Sequence, residues 1–174
     1  MSTTLPPSSS MPIVKVTRVR NDGFSNSSPT CRPAMVAACG EGIDGKPVLD
    51  ATNPIADAPP ENGVIKYFTG PNESLMEALQ KKAPKAHFVK AFSCVGNAWM
   101  VSPDFGGQKP TMFVCGDDEG AKKKTSEILA QFGWEVEDMG ASTAARAIEP
   151  LAMLWCIPGI AKGRWTHAFK LLKK

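Results

Sequence analysis

Few residues in this chain have the types and spacing that chemistry demands. The five cysteines, Cys31, Cys39, Cys94, Cys115 and Cys156, are odd in number, widely spaced and form no C-x-x-C pair. That pattern argues against a disulfide framework or a zinc site and for reduced thiols in a cytosol-like compartment. The two histidines, His87 and His167, lack the spacing of metal ligands. Cys94 has no adjacent histidine to stabilise a thiolate, so it is not expected to be reactive. Asp117 and Asp118 read as caps at a helix N-terminus, where carboxylates are favoured. Arg146 and Glu149 stand three apart on one helix and are expected to pair with each other. Lys122, Lys123 and Lys124 read as a solvated helix face. No catalytic residue and no metal are therefore expected. The remaining polar candidates lie in two turns that follow apolar segments, Thr52-Asn53-Pro54 and Ser93-Cys94-Val95-Gly96.

The elements that must position those turns alternate in type. Pro47 to Asp50 is a short apolar strand. Asn72 can cap a helix from about Glu73 to Lys82, with Leu75, Ala78 and Leu79 on one face. Ala86 to Phe92 is a second strand, and Val95 to Val101 a short helix after it. Thr111 to Cys115 is a third strand. The helix opened by Asp117 and Asp118 carries Ala121, Ile128, Leu129 and Phe132 at helical spacing and stops at Gly133. Trp134 to Val136 is a fourth strand. A helix from about Thr143 to Cys156 follows, kinked at Pro150. A last amphipathic helix is expected to carry Trp165, Ala168, Phe169 and Leu172. Alternation of this kind predicts an α/β layer fold with a mostly parallel sheet. Ligands in such sheets bind beyond the carboxyl ends of the strands. The turns after Asp50, Phe92 and Cys115 are thus the candidates.

Bulk properties set the limits. The 174 residues suit one domain, and 43% hydrophobic content is enough for a core. A net charge of +3 gives no reason to expect nucleic acid or an anionic membrane as partner. The longest apolar run, Leu151 to Ile157, is far shorter than the roughly 18–20 residues that span a bilayer. Residues 1–42 differ from the rest: Ser, Thr, Pro, Asn and Gly crowd the segment, and it reads as a disordered or irregular extension with one short strand at Met11 to Val19. The first 21 residues hold no acid but two arginines, Arg18 and Arg20. That composition is compatible with an organellar transit peptide, the alternative to a cytoplasmic location.

Four segments together carry a resemblance. They are Gly45-Lys-Pro-Val-Leu-Asp-Ala-Thr-Asn-Pro-Ile55, Val89-Lys-Ala-Phe-Ser-Cys-Val-Gly96, Met112-Phe-Val-Cys-Gly-Asp-Asp118 and Ala145-Arg-Ala-Ile-Glu-Pro-Leu-Ala-Met-Leu-Trp155. In order and spacing they resemble the coenzyme F420-dependent NADP oxidoreductase family, which is also similar to the reductase domain of six-transmembrane metalloreductases. The match covers about residues 34–173. The resemblance implies a Rossmann-like domain that passes a hydride between NADP(H) and a deazaflavin (F420) or flavin. Such chemistry needs little acid–base help from the protein. It also implies that Thr52, Asn53 and Pro54, with Ser93, Cys94, Val95 and Gly96, line the nicotinamide side of the cleft and the second cofactor's ring. Gly96 would then allow backbone to approach the ligand closely.

Two departures stand out. Relatives commonly read Lys-Ala-Phe-Asn-Thr at the second turn, where this chain has Ser93 and Cys94. The family also begins with a strand, a G-x-G-x-x-G loop and a helix, which supply the pyrophosphate site. The N-terminal glycines here, Gly23, Gly40, Gly42 and Gly45, do not form that fingerprint between a strand and a helix: Gly40-Glu-Gly42 resembles the family's later linker, just before the strand ending in Asp50. The expected fold class is therefore α/β, a truncated Rossmann-like parallel sheet with C-terminal helices, residues 43–174 forming a partial NAD(P)-binding domain. Loss of the leading strands would leave an apolar edge, which predicts a homo-oligomer, a partner covering it, or marginal stability. Three readings stay open: an NADP-dependent oxidoreductase with impaired activity, a non-catalytic oligomerisation or regulatory module, and a truncated isoform.

Overall fold

A computed structural model describes residue 36 and residues 38–174. The strand at Met11–Val19, the transit-peptide reading and Cys31 lie outside the described residues, as does most of the irregular stretch 1–42. At the end of that stretch Val36, Ala38 and Cys39 are helical, and Gly40–Ile43 forms a 3-10 turn.

The elements in chain order are β1 (Pro47–Asp50), α1 (Leu75–Lys82), β2 (His87–Lys90), β3 (Thr111–Val114), α2 (Glu119–Gln131), β4 (Glu135–Asp138), α3 (Ala145–Ile148) and α4 (Pro150–Lys162). A short 3-10 turn, Asn97–Trp99, replaces the helix expected over Val95 to Val101. The cap of α1 is Ser74, not Asn72. Ser74 is in the extended conformation that a cap requires, and its hydroxyl accepts the Glu77 amide at 3.2 Å. Helix α2 starts on Asp118, whose Oδ1 accepts the Ala121 amide at 2.7 Å. It ends before Gly133, which takes a φ of +92°. Pro150 separates α3 from α4, because a proline nitrogen cannot donate to the helical ladder.

The last expected helix does not form. Gly163 closes α4 in the left-handed region at φ +65°, and residues 164–174 run on without helix. Their backbone and side chains are engaged elsewhere. The Thr111 amide donates to Phe169 O at 2.9 Å, and the Leu171 amide donates to Thr111 Oγ1 at 3.1 Å. Lys170 pairs with Glu135, and Lys173 with Glu137. Tertiary contacts have overridden helical periodicity.

Strands β1 and β2 pair in parallel, as do β3 and β4. The two sheets meet at a single antiparallel bridge between Lys90 and Cys115, with the Lys90 amide donating to Cys115 O at 3.0 Å. This reversal sends the end of β3 toward the start of β2, where Asp118 lies 3.6 Å from His87. The turn after Cys115 is thereby carried to the opposite end from the turns after β1 and β2.

Strand alternation divides the core in two. Val89, Met112 and Val114 face Ala121, Leu129 and Trp134 on one side. Phe88 and Cys115 face Leu75, Met76, Leu79 and Ile148 on the other. Helix α2 thus covers one face, with α1 and α3 on the other.

Candidate functional site

The turns following β1 and β2 come together at one end of their sheet. Asp50 ends β1 and organises the first turn. Its Oδ1 accepts both the Thr52 amide at 2.9 Å and the Thr52 hydroxyl at 2.6 Å, an Asx-type arrangement that replaces strand pairing with side-chain bonding. Pro54 is buried, and its carbonyl accepts the Phe68 amide at 2.9 Å. The second turn starts at Phe92, a non-glycine residue at φ +59°. Its ring is held by Phe132 and Trp134 at centroid separations of 6.3 and 6.4 Å. Backbone strain of this kind persists only where the surroundings fix it.

Asn53 links the two turns, its Nδ2 donating to Ser93 O at 2.7 Å. Asn53 Oδ1 and Ser93 Oγ are both buried without a hydrogen-bond partner. An unpaired buried polar atom costs roughly 1–3 kcal/mol, so one on each of two linked turns calls for an explanation. Cys94 is buried, and burial pushes its thiol up to about 12, so it is an inert thiol. Val95 belongs to the core beside Phe92. Gly96 packs against the protein's own aromatic side chain. A Cβ there would lie 3.0 Å from Cη2 of Trp155. A side chain at this position would require the indole to shift.

Beneath the first turn lies a charged cluster that the sequence reading missed. Lys90 is fully buried between two carboxylates, Asp50 Oδ2 and Glu149 Oε1, each 2.7 Å from Nζ. Nζ also donates to Thr52 O at 2.9 Å. Burial lowers the Lys90 pKa, but the two carboxylates outweigh it and the net direction is upward. Glu149 also accepts the Leu75 and Met76 amides, at 3.0 Å each, and so caps α1 from another element. The expected pair between Arg146 and Glu149 is therefore absent. Arg146 instead grips Glu77, with Nε and Nη2 at 2.9 and 2.7 Å, and its guanidinium draws the Glu77 carboxyl below its ordinary range. The available signals were a lysine inside the apolar strand His87–Lys90 and a glutamate inside the apolar stretch ahead of Trp155.

Two hollows lie elsewhere. A groove of about 550 Å³ is lined by Glu61, Lys66, Tyr67 and Met153. A second of about 300 Å³ adjoins Thr69, Glu73, Arg146 and Glu149. Neither includes the Thr52–Pro54 or Ser93–Gly96 turn. No group of three or more potential metal ligands occurs among the described residues.

No family model matches the chain. One solved structure, assigned as an F420-dependent NADP-reductase from Arthrobacter sp. FB24, superposes with a TM-score of 0.76 at 28% identity, over 84% of this chain and 66% of its own. The family resemblance stands. Metalloreductase STEAP3 of Rattus norvegicus is 29% identical over 120 residues, 67% of this chain but 22% of its own length. A hypothetical protein from Sinorhizobium meliloti shares the fold, with a TM-score of 0.55 at 24% identity over 84% of this chain and 63% of its own. The chain thus spans about a fifth of the curated relative and under two thirds of the Arthrobacter NADP-reductase structure.

Proposed function

We propose that this chain forms the nicotinamide side of an NADP(H)-dependent oxidoreductase. The observation that carries the reading is the pair of unpaired buried atoms, Asn53 Oδ1 and Ser93 Oγ, on turns joined by the Asn53–Ser93 hydrogen bond. Asn53 Oδ1 would accept from the carboxamide nitrogen, and Ser93 Oγ would donate to its oxygen. Thr52, Pro54, Cys94, Val95 and Gly96 complete the frame of the two turns. When bound, NADPH supplies a hydride from the nicotinamide ring, and a deazaflavin or flavin is the acceptor class that fits the family resemblance. The protein's own part is to orient and enclose the ring, with no proton transfer assigned to a side chain. Gly40, Gly42 and Gly45 have G-x-G-x-x-G spacing, but they lead from a 3-10 turn into strand β1 and do not open a helix whose N-terminus could hold a pyrophosphate. Pyrophosphate contacts are therefore limited, and we expect weak binding and impaired turnover from this chain alone. The free thiols among the described residues suit a reducing, cytoplasmic location.

A second reading, a non-catalytic association module, draws on the outer face of α4, where Leu154 is 55% exposed. NADPH titration of the folded protein separates the two, because Trp155 lies against the Gly96 turn and reports on it. Saturable quenching that Asn53→Ala weakens about tenfold supports the cofactor reading. A folded protein with no saturable response sinks it and leaves the association module.

A further inference from the structure

We propose that Lys90 is a positioning residue, a buried cation that fixes the Thr52–Asn53 turn and locks it to the N-terminus of α1. The inference rests on the cofactor reading above and deepens it. Lys90 has three donors, and each is used, on Asp50 Oδ2, Glu149 Oε1 and Thr52 O. Asp50 spends its other oxygen on the Thr52 amide and hydroxyl. The amide, hydroxyl and carbonyl of Thr52 therefore all bond to Asp50 or Lys90, and the next residue is Asn53. On the far side Glu149 holds the first amides of α1. The cluster ties together β1, β2, α1 and the junction of α3 with α4.

Stability alone is a poor reason for this arrangement. A buried ion triad is often replaced by apolar side chains with no loss, whereas geometric specificity is lost with it. One cation faces two carboxylates, and the positive end of the α1 dipole offsets the excess charge at Glu149. The cluster is thus electrostatically closed only while strands and helix keep their present relation. Movement of α1 or of the α3–α4 junction is transmitted through Glu149 and Lys90 to Thr52 O.

Lys90→Met alone strands two buried carboxylates and is expected to unfold the protein. The deciding variant is the neutral triple, Asp50→Asn with Lys90→Met and Glu149→Gln. Circular dichroism checks its fold, hydrogen exchange reads the Thr52 and Asn53 amides, and tryptophan quenching reads NADPH affinity. The expected result is a folded protein whose Thr52 amide exchanges about tenfold faster, while the Ala91 amide of the β1–β2 ladder changes less than about twofold. NADPH affinity should fall about tenfold in parallel. Unchanged Thr52 exchange in the folded triple variant overturns the proposal. If the wild-type protein binds no NADPH, the cofactor reading fails, and Thr52 exchange still decides the role of Lys90. Should the triple variant not fold, Glu149→Gln alone serves. Faster Thr52 exchange supports the lock, and loosening confined to Leu75 and Met76 overturns it.

Discussion

Cys94 shows how a residue's chemistry is set by its position. The thiol lies in the turn of interest, yet burial pushes it up to about 12, and Cys115 is pushed up to about 12 by the same cause. Cys39, by contrast, is exposed. In native protein at mildly alkaline pH, a thiol reagent should modify Cys39 quickly. Cys94 and Cys115 should react only on unfolding. Mass mapping of labelled peptides checks this, and rapid native labelling of Cys94 would contradict the buried turn. The pH sign follows. A raised thiol pKa gives stability that is full below the ordinary thiol range and is lost as pH rises toward the folded value. The raised Lys90 pKa has the same sign, its contribution being lost above the ordinary lysine range. Denaturant midpoints should therefore fall on the alkaline side, first through the thiols and then through Lys90.

Elements were legible where local chemistry decides and illegible where tertiary contacts do. The alternating apolar segments located the strands, and Asp118 and Gly133 bounded α2, because caps and stops act within a few residues. The α1 cap was misplaced by two residues, since Asn72 and Ser74 are both competent caps and only the backbone conformation chooses between them. The tail carried a helical pattern that β3 and the neighbouring side chains overruled. Trp155 Nε1 donates to His167 O at 2.9 Å, and Trp165 lies over Gly159 in the space a Cβ would fill. Such pairings between distant segments leave no local trace. The same limit hid the Lys90 cluster, whose partners are 40 and 59 positions away in sequence. Ser74 offers a test at this scale. Ser74→Ala should destabilise the protein by about 1 kcal/mol, the usual cost of an N-cap. Glu149 continues to satisfy the Leu75 and Met76 amides, so α1 should survive. Equilibrium denaturation measures the loss, and a loss well above that cost would mean that Ser74 supports more than the helix start.

The whole molecule leaves two surfaces open. Among the described residues β1 has a strand neighbour on one side only. The helical stretch Ser142–Lys162, which includes α3 and α4, is long and apolar enough to cross a membrane by length and composition. Its inner face is committed to the protein. Ala145, Ile148, Ala152, Trp155 and Gly159 are buried, and Glu149 is held in its ion pairs with Lys90. Inserting this helix into lipid would break that pair and strand a buried charge. What remains open is the outer face, where Leu154 is 55% and Ile160 38% exposed. Apolar area presented by an otherwise packed helix favours association with another protein surface, and a second copy of this chain offers the same face in return. We expect a concentration-dependent dimer in analytical ultracentrifugation at micromolar protein. Leu154→Glu should shift it toward monomer while leaving the circular dichroism spectrum unchanged, because the side chain projects away from the Lys90 cluster and the core. A monomer at every concentration would exclude this face as a self-contact. It would also remove the observation that favours an association module over a cofactor-binding one.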